Sequence, residues 1–215
     1  KASGNGGFRM IVLAPDSVQE CVDMVYEAYD LAERDQNPVL VLTDGVMGTM
    51  MEPVVLPPMK TNEELAACRA KFADRAIVGH PLGQQAYCRP GSVGDGQEKV
   101  NIEAAAMYET WDKDIRVEEY MMDDADVCVV AYGIAARVAK NAIVAARAQG
   151  VKVGMIRPIT VWPFPVKPFE AAIGKAHTFI SVELSMGQMI EDVKLATQCR
   201  ANYILCNRVG GMIPS

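Results

Sequence analysis

Apolar residues recur in two patterns along the chain: short unbroken runs, and longer stretches where they return every third or fourth position. The run RMIVLA at 9–14, ended by Pro15, predicts a buried strand. Ser17 stands three residues before Glu20, the spacing at which a cap hydroxyl and a returning carboxylate satisfy the first free amides of a helix. Val18, Cys21, Val22, Val25, Ala28, Tyr29 and Ala32 then keep helical spacing up to Arg34, and the helix ends before Asn37 and Pro38. Residues 39–42 form a second buried strand. Strand, helix and strand in this order, with apolar rather than alternating strands, predict a parallel sheet covered on both faces. Thr43, Asp44 and Gly45 then lie at the carboxyl end of a parallel strand, the edge where open α/β sheets gather ligands.

The second half is more regular. Strands are predicted at 126–131 (DVCVVA), 151–156, 178–182 and 202–206, with helices at 133–149, closed by Gly150, and at 187–197. Right-handed crossovers would make these a small doubly wound α/β domain with a parallel sheet. Between the halves, EPVVLPPMK (52–60) is proline-rich, 62–72 has one helical pattern, and GHPLGQQAYCRPGSVGDGQ (79–97) has no period. So long a loop within one compact domain is unusual, so this part reads as a linker between two domains or as chain that wraps a partner. The predicted organisation is 1–55, a linker or excursion at 56–119, and 120–215. At 157–165, three prolines argue against regular structure, while Trp162 and Phe164 need covering, either by a packed corner of the domain or by another chain.

Composition narrows the function classes. The 215 residues are 50% hydrophobic and 22% charged, which is globular, and the net charge of −6 with scattered lysines and arginines leaves no basic stripe for nucleic acid. No apolar run approaches the roughly 20 residues that span a bilayer, and residues 1–7 lack the hydrophobic stretch of a signal peptide, so a soluble cytoplasmic chain with no membrane partner is expected. The six cysteines are widely spaced without a C-x-x-C, and only His80 and His177 could supplement them, so no metal centre is expected within the chain. Thirteen methionines are a surplus; Met47, Met50 and Met51 sit where a deformable surface could face a partner.

Motifs for chemistry are few. After DVCVVA, the turn at Tyr132 and Gly133 has one glycine where a dinucleotide fingerprint needs three, and GSVGDG (91–96) follows no strand and lacks a P-loop lysine, so it reads as flexible linker. There is no G-x-S-x-G, and neither histidine has a recognisable nucleophile partner in sequence; His177 reads as structural. The carboxylates placed at strand ends are Asp44, Glu52 and Glu183, a position that is more often solvated than catalytic. Glu183 to Gln188 ends a strand and opens a helix: the position suits a site, but the residues do not name one.

IVLAPDSVQE, LTDGVMGTMMEPV, VVAYGIAARVAKNAI, VGMIRPITVWPFP, ELSMGQMIEDV and RVGG occur in that order. Together they resemble the alpha-type subunit of 2-oxoacid:ferredoxin oxidoreductases, in the 2-oxoisovalerate and 2-oxoglutarate branch, over nearly the whole chain and most weakly at 61–99. The resemblance implies the end of a thiamine-pyrimidine-type parallel-sheet domain followed by a transketolase-C-terminal-like domain. It also implies a complex that decarboxylates a 2-oxoacid with thiamine diphosphate and Mg, passes electrons through iron-sulfur clusters in partner subunits to ferredoxin, and yields an acyl-coenzyme A, with none of these cofactors held by this chain alone.

Two positions depart from the family pattern: Thr49 stands where D-G-x-x-G-Q has glutamine, and Ser185 where E-x-N-x-G-Q has asparagine. The resemblance places the glutamate that engages the aminopyrimidine, and the residues near the 2-oxoacid, upstream of Lys1, and a final helix beyond Ser215. It therefore assigns no catalytic residue here. Asp44, Gly45, Glu183 and Gln188 are the candidates for a site edge, and the chain alone is expected to be inactive, as part of an anaerobic enzyme. Two other readings stay open: the beta chain of a 2-oxoacid dehydrogenase or a transketolase relative, and a non-catalytic α/β interaction module.

Overall fold

The computed structural model describes residues 7–71 and 95–214. The chain forms two units, one made of Lys1–Val55 with Thr110–Ser215 and the other of Leu56–Glu109. His80, Cys88, Phe72 and residues 91–94 of the GSVGDG segment lie outside the described residues.

The first unit holds two sheets. In the smaller, β1 (Ile11–Leu13) lies between β2 (Val39–Val41), to which it is parallel, and β6 (Thr160–Trp162), to which it is antiparallel. The crossover from β1 to β2 is α1 (Val18–Asp35), which buries Met24 and Leu31. Ser17 caps it, its Oγ accepting the Glu20 N–H at 3.1 Å. The Glu20 carboxylate reaches one residue further back than the capping-box spacing predicts, accepting the Asp16 N–H at 2.8 Å.

The larger sheet has the order β3-β5-β4-β7-β8, with β3 (Val117–Tyr120) antiparallel at one edge and β5 (Val153–Pro158), β4 (Val127–Val130), β7 (Thr178–Glu183) and β8 (Asn202–Asn207) parallel. Because successive side chains of β4 point to opposite faces, its apolar run feeds two cores. Cys128 and Val130 pack with Phe169, Phe179 and Val193 beneath α5 (Val166–Ala172) and α6 (Met189–Ala196). Val129 and Ala131 pack with Ala135, Ala139 and Ile143 of α4 (Gly133–Ala148). The chain leaves β4 through α4 toward β5, returns across β4 to β7, and continues through α6 to β8. The connection reverses direction between β4 and β7, and a doubly wound sheet opens its crevice at the carboxyl ends of two such strands.

The prolines at 157–165 do not prevent regular structure, contrary to expectation. Pro158 is the last residue of β5 and pairs with Val117 on β3, beyond the last β4 partner at Ile156, so its missing N–H falls outside the central ladder. Thr160 and Trp162 then pair with β1, so this segment joins the two sheets. Phe164 packs inside the unit, its ring 5.1 Å from that of Phe169. Half-buried Trp162 lies under the Arg9 guanidinium, 5.2 Å from the ring centroid.

In the second unit, α2 (Asn62–Lys71) opens with a reciprocal cap: the Glu64 N–H donates to Thr61 Oγ1 at 3.2 Å and the Thr61 N–H to Glu64 Oε2 at 2.7 Å. A second helix, α3 (Asp95–Glu109), stands within the stretch expected to be linker. Its apolar positions keep no helical stripe, so periodicity misses it; the alanines at 104–106 and the surrounding Glu and Lys residues carry it by intrinsic propensity. Among the described residues no helix is long and apolar enough to cross a membrane.

Candidate functional site

A cavity of about 220 Å³ opens at the carboxyl ends of β4 and β7, lined by Leu42, Thr43, Asp44, Tyr132, Glu183 and Ser185 among others. Asp44 arrives from the end of β2 in the small sheet, Tyr132 and Gly133 from the turn between β4 and α4, and Glu183 from the last position of β7.

Asp44 binds two elements. Its Oδ1 accepts the N–H groups of Val46 at 3.0 Å and Met47 at 2.9 Å, closing the short 3-10 turn Met47–Thr49. Its Oδ2 accepts the N–H of Ile134 at 3.0 Å, in the first turn of α4, whose preceding residue Tyr132 supplies no side-chain cap. Gly133 makes this approach possible: its φ is +61°, and a Cβ there would lie 2.9 Å from Asp44 Oδ2.

Glu183 is 4% exposed and accepts five hydrogen bonds. Oε1 takes the Ser181 hydroxyl at 2.8 Å and the Ile190 N–H at 2.9 Å. Oε2 takes the Ser185 hydroxyl at 2.8 Å and the N–H groups of Gln188 at 2.8 Å and Met189 at 3.0 Å. Burial alone raises the carboxyl, but the Gln188 N–H, the Ser181 and Ser185 hydroxyls and the Met189 N–H outweigh it and hold Glu183 below the ordinary glutamate range. The pocket is thus electronegative, and burial followed by the charges of Glu183 and Asp44 pushes the Tyr132 hydroxyl up.

The structure brings Asp44 and Glu183 to one cavity. Gln188 contributes its backbone N–H to Glu183 while its side chain is exposed, and exposed Gly45 lies one residue beyond the pocket lining. Glu52 is elsewhere, accepting the Val18 N–H at 3.1 Å and pairing with Arg137 at 2.7 Å. His177 ties strands through its backbone, donating its N–H to Asp126 O at 2.9 Å and accepting from Asn202 at 3.0 Å. The two departures make local turn bonds: Thr49 Oγ1 donates to Val46 O at 2.9 Å, and Ser185 Oγ accepts the Gly187 N–H at 3.2 Å besides donating to Glu183.

Sequence reasoning misses a five-residue ionic network. Arg157, 2% exposed in β5, pairs through Nη1 with Asp16 at 3.1 Å and Glu118 at 2.9 Å, and through Nη2 with Glu20. Lys140 of α4 pairs with Asp16 at 3.1 Å and Glu118 at 2.8 Å. Burial pushes Glu20 and Glu118 up, but the Arg157 guanidinium and the Asp16 N–H bring Glu20, and Lys140 and Arg157 bring Glu118, below the ordinary range; Asp16 stays raised, by burial first and by the Glu20 charge. The available signal was a charge inside the apolar run GMIRP, since a buried guanidinium demands partners.

Among the described residues no group of three or more His, Cys, Asp or Glu side chains could hold a metal ion. The N–H groups at the start of α6 already serve Glu183 and that of Ile134 serves Asp44. The pocket therefore does not fit a metal-bound diphosphate.

Residues 5–116 match the family model described as "pyruvate flavodoxin/ferredoxin oxidoreductase, thiamine diP-bdg", and residues 125–215 match "pyruvate:ferredoxin oxidoreductase core domain II". The chain is 40% identical to the ketoisovalerate oxidoreductase subunit VorB of Methanothermobacter marburgensis, over 98% of this chain and 58% of that one. It is 30% identical to the 2-oxoglutarate synthase subunit KorA of the same organism, over 97% of this chain and 62% of that one. The chain thus spans about three fifths of the length of these relatives. The fold is similar to that of a chain in 2-oxoglutarate:ferredoxin oxidoreductase from Magnetococcus marinus, with a TM-score of 0.69 and 21% identity, over 99% of this chain and 41% of that one.

Proposed function

The chain belongs to the 2-oxoacid:ferredoxin oxidoreductase family, in the isovalerate and oxoglutarate branch, and from that premise we propose that it is one subunit of an enzyme oxidising a branched-chain 2-oxoacid. The observation that carries the reading is the succession of both family domains along the chain, with higher identity to the ketoisovalerate subunit than to the 2-oxoglutarate subunit. In the proposed reaction the 2-oxoacid loses its carboxylate as CO₂, the remaining acyl group bonds to the coenzyme A sulfur, the thiol proton is released, and two electrons reduce two ferredoxins. Thiamine diphosphate with Mg and iron-sulfur clusters are the proposed cofactors of the complex, with the clusters in partner subunits, in a cytoplasmic, anaerobic setting.

Within this complex the share of the present residues is positional. In the proposed division, 1–55 completes the pyrimidine-side domain, 56–119 is the excursion toward neighbouring chains, and 120–215 is the transketolase-C-terminal-like domain. The strap after the 3-10 turn supports a subunit role: Met51 is 97% exposed, Val55 79% and Leu56 73%. Gln19 holds the backbone at Val55, accepting its N–H at 2.7 Å and donating to its O at 2.9 Å, so the Val55 side chain is offered outward on fixed chain.

The test is activity of the purified complex with a panel of 2-oxoacids. Coenzyme A-dependent ferredoxin reduction, fastest with 2-oxoisovalerate, is the expected result, with no activity from this chain alone. Acyl transfer to lipoamide would favour the dehydrogenase reading instead, and inactivity with every 2-oxoacid would overturn the proposal.

A further inference from the structure

The cavity at the carboxyl ends of β4 and β7 is where a doubly wound sheet ordinarily takes a ligand, and the N-termini of the two helices that flank it, α4 and α6, ordinarily take the ligand's phosphate. In this chain a carboxylate of the protein stands at each. Glu183 receives three consecutive backbone N–H groups at the start of α6, those of Gln188, Met189 and Ile190, at 2.8–3.0 Å, together with two serine hydroxyls. Asp44 receives the N–H of Ile134 at 3.0 Å and fills the space above Gly133. The set around Glu183 is that of an anion site: convergent donors, a helix dipole and burial, with the anion supplied by the chain itself.

We infer that Glu183 and Asp44 are internal anions that occupy the phosphate positions of this crevice and so determine its specificity, excluding phosphates and carboxylates from the cavity between them. A phosphate entering would meet two fixed negative charges and find the α6 donors taken. The inference stands on this chain's own hydrogen bonds and does not depend on the reaction proposed above. It assigns both residues a positioning role, acting on what the cavity admits.

Chemical rescue separates an internal anion from a side chain that merely packs. Glu183→Ala removes the side chain beyond Cβ, and acetate supplies the missing methylene carbon and carboxylate through the adjoining cavity. The readout is hydrogen–deuterium exchange of peptides covering residues 186–191 in the assembled protein. The expected result is several-fold faster exchange in Glu183→Ala, slowed again by acetate and by inorganic phosphate, while sodium chloride at equal ionic strength does nothing. Glu183→Gln keeps the shape but turns an amide group toward N–H donors, so it should exchange as fast as Glu183→Ala without responding to acetate. Protection by Gln equal to that by Glu, or an equal response to acetate and chloride, would overturn the inference. The wild-type protein gives a test independent of variant folding: inorganic phosphate should leave exchange at 186–191 and 133–136 unchanged, and phosphate-dependent protection there would contradict the inference.

Discussion

The Oδ2 atom of Asp44 lies 3.0 Å from the backbone nitrogen of Ile134, 90 residues later, and joins the end of the small sheet to the first turn of α4. Asp44→Ala should destabilise the first unit by roughly 1–2 kcal/mol, the usual loss for a helix cap. Gly133→Ala should cost more than about 1 kcal/mol, because it places a Cβ at positive φ and against the same carboxylate. The double variant should lose less than the sum, since Asp44→Ala removes the atom that the new methyl meets. Urea unfolding of the four proteins measures this coupling.

Arg157 should be the most sensitive position outside the apolar core. Arg157→Met leaves Asp16 and Glu118 sharing Lys140 and takes from Glu20 the guanidinium it pairs with, and an uncompensated buried charge costs roughly 3–5 kcal/mol. Asp16→Asn should cost far less at neutral pH, because burial already raises Asp16 and so disfavours its ionised form in the folded state. Denaturant midpoints of the two variants test the contrast; equal losses would mean that Asp16 is held as a needed anion.

The acid limb of stability should follow the depressed carboxyls. Glu183, Glu20 and Glu118 lie below the ordinary glutamate value of 4.5 in the folded chain, so their contribution is fully present above about that pH and is lost as pH falls through their folded values. Asp16 has the opposite sign: raised above its ordinary 3.8, it favours the folded state at low pH and loses that contribution as pH rises through its folded value. Acid titration should show stability falling below about pH 4.5, with a shallower slope for Glu183→Gln.

Thiol reactivity should divide the cysteines. Cys128 is fully buried, and burial pushes its thiol up to about 12, whereas Cys199 and Cys206 are exposed. Alkylation of the isolated chain at about pH 8 should label Cys199 and Cys206 and reach Cys128 only after unfolding. Peptide mass mapping with and without denaturant distinguishes the two classes.

What could be seen in the chain beforehand depended on how local the cause was. β1, α1, β4 and α4 were legible because each carries its own apolar period and, for α1, a cap at Ser17. β3 was not, because Glu118 and Glu119 interrupt an apolar run; Glu118 serves the buried Arg157, a partner 39 residues away. β6 was hidden among prolines, and its strand form comes from pairing with β1, about 150 residues earlier. Asp44 and Glu183 could be placed at strand ends, but the topology that brings them to one cavity, and the amides each accepts, are properties of the folded chain.

The most direct test of the account is the native mass of the assembly isolated through this chain, with thiamine, iron and sulfide assayed on the same sample. The account predicts a multichain complex that contains all three. A lone chain free of cofactors, from a preparation that retains its fold, would contradict it.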